Sequence, residues 1–235
     1  MEEKKKKKAT KKREITIKAT KKGRHVLRFF NFLRIIVVPV YYILKPFKFY
    51  GNRKVKDGAY VYVSNHRVMF DLVYPAVTTW EGVHYVCKKS LAETPFVRGL
   101  VRLVKAIPVN RDGNDVRALL DCFKCLKNGE KVVIFPEGTR NKSDEVMLPF
   151  KSGAAVMAIR TKTPIVPIVV YSKPRFFRYT HILIDEPFEL SEYYDRKLTE
   201  EDILEADEKL RNYMLQMHER HTQYLQAKKN KRKAN

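Results

Sequence analysis

Cysteine is scarce in this 235-residue chain: there are three, Cys87, Cys122 and Cys125. An odd number, with no secretory signal pattern, excludes a disulfide framework and implies a reducing compartment. Cys122 and Cys125 form C-x-x-C, but within Val116 to Leu126, a stretch of helical spacing. A redox pair needs a strand-to-helix mouth and a zinc site needs further ligands nearby, so two packed helical cysteines are expected. No serine stands in a G-x-S-x-G elbow, and no glycine-rich phosphate loop is present. Neither zinc-finger spacing nor an aromatic RNA-binding box occurs. Long apolar runs are also lacking. As one helix, Val26 to Leu44 would reach about 28 Å, just short of a ~30 Å hydrocarbon core. It carries Arg28 and Arg34, each costing about 2.5–3.5 kcal/mol at the bilayer centre, which excludes a simple transmembrane span.

Acidic residues are few beside basic ones, 26 against 48, for a net charge of +22. Residues 1–24 contribute +9 and residues 228–233 contribute +5, leaving +8 for the body. Charge concentrated in tails suits an anionic membrane surface or a nucleic acid, and equally a solvated arm. The pattern divides the chain into a basic disordered arm (1–22), a membrane-binding helical element (23–49), an α/β domain (50–227) and a basic tail (228–235). In the second segment Arg24, Arg28, Asn31 and Arg34 share one helical face while Val26, Leu27, Phe29, Phe30, Phe32 and Leu33 cover the rest. This predicts a kinked or two-part amphipathic element, interrupted at Pro39, lying in one leaflet with its arginines at the headgroups. The alternative is an amphipathic helix covering the domain core.

Apolar runs rich in β-branched residues recur at 59–64, 83–87, 107–109, 131–135, 165–170 and 182–184, separated by helical patterns at 91–104, 114–126 and 152–159. Alternation of this kind predicts an α/β fold: a largely parallel sheet covered by helices on both faces, with ligands at the carboxyl ends of the strands. A long final helix opens at Thr199-Glu200-Glu201-Asp202, a capping-box variant, with Ile203, Leu210, Met214, Met217 and Leu225 as its apolar stripe.

The stretch Asn65-His66-Arg67-Val68-Met69-Phe70-Asp71 follows the first of these strands. Asn65 is a candidate N-cap, with a short helix from His66 that Pro75 limits. Positions five apart on a regular helix are about 140° out of phase, so His66 and Asp71 meet only if the histidine sits at the helix mouth. A carboxylate there would fix the imidazole tautomer and make the other nitrogen a general base, while free backbone N–H groups would favour developing negative charge.

Three more blocks accompany it: Ala106-Ile107-Pro108-Val109-Asn110-Arg111, Phe135-Pro136-Glu137-Gly138-Thr139-Arg140 and Ile165-Val166-Pro167-Ile168-Val169. In this order the chain resembles the glycerolipid acyltransferases, most closely the 1-acyl-glycerol-3-phosphate acyltransferases, over about Gly58 to Val170. The resemblance implies transfer of a fatty acyl group from acyl-CoA or acyl carrier protein to the sn-2 hydroxyl of 1-acyl-sn-glycerol-3-phosphate (lysophosphatidic acid), giving phosphatidic acid. It implies His66 as base and Asp71 as its orienting partner. Lys88, Arg111, Glu137, Gly138, Thr139 and Arg140 become substrate-binding residues, with no metal and no cofactor beyond the acyl carrier. Val68 and Asn110 stand where many members carry Ser and Asp, which leaves the acceptor open to glycerol-3-phosphate or another lysophospholipid. The expected location is the cytoplasmic face of the cell membrane, peripheral or monotopic. A basic nucleic-acid-binding module and a catalytically silent membrane scaffold are the readings from other classes.

Overall fold

In a computed structural model of the chain, the structure describes residues 21–234 apart from 53, 54, 56, 96, 97, 100, 102–104, 111–114 and 152. The expected basic arm, save its last two residues, and Arg111 lie outside the described residues. A seven-stranded sheet carries the domain, built from β1 (Phe47–Gly51), β2 (Tyr60–Ser64), β3 (Val83–Lys88), β4 (Ile107–Val109), β5 (Lys131–Ile134), β6 (Ile165–Val170) and β7 (Thr180–Ile184). Their order is β1-β7-β6-β2-β5-β3-β4. Every pairing is parallel except β6 with β7. The fold is therefore α/β, with β2 central between β5 and β6.

The two-residue period of β2 assigns its side chains to two cores. Val61 and Val63 face one side with Val132, Ile165 and Val169, beneath α4 (Val116–Lys127), α5 (Ala154–Thr161) and α6 (Glu200–Ala234). Tyr62 faces the other side with Val133, Val166, Ile168 and Val170, covered by α1 (Lys21–Leu44) and the short α2 (Val73–Ala76). The final helix opens as expected: the Thr199 and Asp202 side chains and backbone amides cap each other reciprocally, at 2.9 and 3.1 Å. Ala206, Leu210, Met214 and Met217 are its buried stripe.

The structure departs from these expectations at five points. Residues 47–49, expected in the membrane element, open the edge strand β1, because Phe47 and Phe49 alternate with Lys48 at the period of a strand and pair in register with Thr180, Ile182 and His181. Of the kinked or two-part element expected, the two-part version does not occur: α1 is one helix with Pro39 inside it. Arg34 does not project to a headgroup: its guanidinium donates to the carbonyls of Ala76, at 2.7 Å, and Thr79, and lies 4.1 Å from the Trp80 ring centroid. With Tyr41 buried and its hydroxyl 3.0 Å from that of Tyr74, one face of α1 does cover the core. The helix expected over 91–104 is interrupted; α3 (Lys89–Glu93) stops at Thr94, whose extended ψ of 121° is the one Pro95 imposes on its predecessor. The last helix, finally, continues to Ala234 where a tail from Lys228 is expected.

Three histidines gather where α6 crosses β6 and β7. His181 Nδ1 lies 2.8 Å from His221 Nε2, and the rings of Tyr171 and His218 stack at 4.4 Å. Burial, with the neighbouring His181 and His218, pushes the His221 imidazole down to about 4. An unfolded chain protonates this residue first, near 6.5, so stability is lost as pH falls from about 6.5 toward 4. Asp207, pushed up to about 7 by burial, acts in the opposite direction. Comparing wild type with His221→Phe cancels that contribution. Thermal melts should show a shallower decline in the variant across this window, and parallel curves would exclude the histidine cluster as the source.

Candidate active site

The chain leaves β2 at Ser64 and makes a tight, non-helical turn through residues 65–68 before a 3-10 turn (Met69–Leu72) leads into α2. Asn65 does not cap this helix. It is fully buried, its amide donates to the Val170 carbonyl at 3.1 Å, and its carbonyl oxygen accepts the Val170 N–H at 2.7 Å. The side chain thus imitates a strand and ties the end of β2 to the end of β6.

Asp71 organises the turn from its far side. The residue is fully buried, and its Oδ2 accepts the N–H groups of Arg67 and Val68 at 2.5 and 2.7 Å. The same oxygen lies 3.1 Å from His66 Nδ1. As a carboxylate accepts only, Nδ1 carries the hydrogen and Nε2 is left with its lone pair. His66 and Asp71 therefore meet because residues 66–68 wrap the carboxylate instead of entering the helix. The amides expected to favour developing negative charge are already committed to Asp71, and that of His66 to Glu137.

The segment after β5 closes over the same histidine. Phe135 stacks on the His66 ring at 4.3 Å. Glu137 is 2% exposed; one of its oxygens accepts the His66 N–H at 2.6 Å and the other the Leu148 N–H at 2.8 Å. Each oxygen accepts a backbone N–H, so Glu137, expected among the substrate-binding residues, is buried here and holds the His66 turn to the loop before Leu148. Burial raises its carboxyl above the usual range, and the two amides counter this. On the other side the Asn141 N–H donates to the His66 carbonyl at 2.7 Å. Arg67 reaches the carbonyls of Ser143 and Val146 at 3.3 and 3.1 Å, securing that loop.

Gly138 turns the loop with φ of +65°, and a Cβ there would stand 2.9 Å from Lys151 Cδ. Thr139 and Arg140 are exposed, and among the described residues no carboxylate pairs with Arg140. Arg140 immediately precedes the residue bonded to the His66 carbonyl, which holds its backbone beside the histidine. Lys88 is exposed at the carboxyl end of β3, in register with Val109. Arg111 lies outside the described residues, as does Ser152. Nothing in the sequence singles out Asn141, Phe135 has no role there beyond opening its block, and the segment Phe150-Lys151-Ser152-Gly153-Ala154, which also matches the family, is expected to be structural. Lys151 is exposed, its N–H bonded to the Pro136 carbonyl at 2.8 Å, and it borders a cleft of about 960 Å³. That cleft begins at Phe135, Pro136 and Gly138 and runs between α4, α5 and the start of α6, past Ala118, Met157 and Ile203. Its size is at the upper end of the ~300–1,000 Å³ typical of small-molecule sites.

The sequence profile of a family described as Acyltransferase matches residues 46–171. The chain belongs to the acyltransferase family. Among its relatives, the 1-acyl-sn-glycerol-3-phosphate acyltransferase of Helicobacter pylori is 33% identical over 122 residues, 51% of this chain and 52% of that protein. The Bacillus subtilis protein of the same name is 32% identical over 112 residues, 47% of this chain and 55% of that one. This acyltransferase thus aligns with about half the length of the curated relatives it matches. A crystal structure of the 1-acyl-sn-glycerophosphate (LPA) acyltransferase from Thermotoga maritima shares the fold, with a TM-score of 0.60 and 22% identity over 88% of this chain and 85% of that one. Both motifs that meet at His66 fall inside the matched segment.

The double anchorage of Glu137 has a measurable consequence. A carboxamide keeps one acceptor and turns an N–H₂ toward the amide of His66 or of Leu148. Glu137→Gln should therefore lose about 1–3 kcal/mol of unfolding free energy in denaturant titrations. Thr139→Ala, two residues on and exposed, should change it by less than about 0.5 kcal/mol. Equal effects would show that the Glu137 contacts contribute nothing.

Proposed function

We propose that this acyltransferase works at a membrane surface, moving a fatty acyl group from an acyl thioester to the sn-2 hydroxyl of 1-acyl-sn-glycerol-3-phosphate. The observation that carries the reading is the 3.1 Å contact between His66 and Asp71 at the carboxyl end of β2, beside the Arg140 loop. His66 Nε2 accepts the hydroxyl proton as the acceptor oxygen bonds to the thioester carbonyl carbon. Asp71 stabilises the imidazolium that forms. The C–S bond then breaks, and the departing thiolate takes the proton from His66, leaving the enzyme as it began. Transfer is direct, without an acyl-enzyme, since no serine elbow supports one.

The acceptor phosphate is assigned to Arg140, Lys88 and Arg111, with Lys151 added by its place at the cleft. Guanidinium groups suit the task because they bind phosphate oxygens in pairs. The acyl chain of the donor is assigned to the cleft lined by Ala118, Leu119, Met157 and Ile203, whose apolar walls match it. The names of the relatives support the acceptor. The donor is acyl-CoA or acyl carrier protein, both anionic and both suited to a basic protein.

The membrane assignment draws on surface composition. Phe32, Ile35, Ile36, Val40 and Ile43 of α1 are each at least 50% exposed, and Met69 and Phe70, beside the catalytic turn, are 58% and 45% exposed. Among the described residues no helix is long and apolar enough to cross a membrane. We place the protein peripherally on the cytoplasmic face, with anionic lipids as its docking partners.

A purified-enzyme assay of lysophosphatidic acid, glycerol-3-phosphate and other lysophospholipids against both donor types tests the reaction. His66→Ala should fall at least ~10²-fold in rate while remaining folded; near-wild-type turnover would remove the proposed base. Ile203→Trp, narrowing the cleft, should shift preference toward shorter acyl chains with little loss on short donors. An unchanged chain-length profile would place the acyl chain elsewhere.

A further inference from the structure

At the amino ends of β3 and β5, on the opposite edge of the sheet from His66, side chains from three elements converge. His84 is the second residue of β3 and is 8% exposed. Cys125 stands in the last turn of α4. Gly129, with φ of +82°, reverses the chain after that helix, and the Glu130 N–H returns to the Cys125 carbonyl at 3.0 Å. The reversal sets the Glu130 and Cys125 side chains beside His84, because β5 then pairs His84 with Val132.

One ligand atom from each of the three residues lies within 4.8 Å of the others. His84 Nε2 and Glu130 Oε2 are 3.4 Å apart. Two ligands at about 2.1 Å from a tetrahedral ion are separated by about 3.4 Å. His84 Nδ1 lies 3.1 Å from the Lys105 carbonyl. That oxygen only accepts, so Nδ1 carries the hydrogen and Nε2 faces Glu130 and Cys125, the arrangement that orients metal-ligating histidines.

We propose that His84, Cys125 and Glu130 form a binding site for a zinc-class divalent cation, with its fourth position open to water. A thiolate, a carboxylate and an imidazole match a doubly charged ion of borderline softness, whereas magnesium and calcium favour oxygen alone. The ion displaces the proton that Cys125 and Glu130 hold on the ring in the metal-free protein, where burial opposes them and they still push the His84 imidazole up to about 10. The ion would tie β3 to the α4–β5 turn, away from the acyl-transfer chemistry. The C-x-x-C pair enters through one member only: Cys125 reaches the site, while Cys122 is 2% exposed in the core.

Titration of the metal-free full-length protein with Zn²⁺, and with Co²⁺ as a spectroscopic stand-in, tests the site. One equivalent should bind per chain, with a thiolate-to-cobalt charge-transfer band and a rise in melting temperature on adding Zn²⁺. Cys125→Ser should abolish the band, and His84→Gln should weaken binding at least ~10-fold. Cys122→Ser should keep the band. His221→Phe should keep the affinity, which separates this site from the other place where imidazoles gather. Absence of saturable binding to the folded protein, or binding unchanged in both Cys125→Ser and His84→Gln, would overturn the proposal.

Discussion

A single buried carboxylate oxygen, Asp71 Oδ2, sets the geometry on which the candidate site depends. It accepts from the His66 ring and from the amides of Arg67 and Val68. An anion buried without such donors would cost several kcal/mol, so the chain folds around it. That requirement explains why a five-residue spacing works: the backbone between the two residues is spent encircling the carboxylate and becomes helical only afterwards. It also removes those amides from any part in stabilising substrate charge. Cationic side chains on other loops are what remains for an anionic ligand.

His66 is held by its backbone as firmly as by its ring. Glu137 takes its N–H, Asn141 gives to its carbonyl, and Phe135 lies against the imidazole face. The preceding residue, Asn65, is fixed to β6 through both polar ends of its amide. Two motifs far apart in sequence are therefore one mechanical unit, since β2 and β5 are neighbours and release their loops at the same edge. Within F-P-E-G-T-R the work divides. Glu137 faces inward and positions, Gly138 permits the turn past Lys151, and Arg140 faces out toward solvent.

Much of this architecture was legible in the residues. Strand and helix alternation gave the α/β sheet, and the His66–Asp71 pairing followed from requiring the histidine to sit outside regular helix. What escaped has a common cause. Periodicity reports which way a side chain faces, not what it meets. Asn65 has the composition of an N-cap and acts as a strand mimic, because β6 ends beside it. Glu137 has the composition of a ligand contact and is buried, with one backbone amide on each of its oxygens. Arg34 fits a headgroup-facing pattern and instead bonds to the carbonyls of Ala76 and Thr79. Edge strand β1 was hidden because its aromatic alternation followed directly on an amphipathic helix. The trio of His84, Cys125 and Glu130 is invisible to spacing rules, since its members are joined only by sheet pairing and a reversed turn.

The two faces of α1 reconcile readings that looked exclusive. Tyr41 is buried against Tyr74 and Phe47, so the helix is part of the domain; on the opposite side Ile35, Val40 and Ile43 remain uncovered. Burying apolar area is worth roughly 25 cal/mol per Å², and a helix with a second apolar face left in water forgoes that gain unless something else covers it. Phe70 links the two regions: it is 45% exposed, yet its ring lies 5.7 Å from that of Tyr41 and its chain position adjoins Asp71. The uncovered surface thus continues from α1 to the rim of the turn that carries His66 and Asp71. On the proposed reading this continuity has a direct use, because a lysolipid held by its tail in a bilayer brings its phosphate and hydroxyl only to sites that border the bilayer surface.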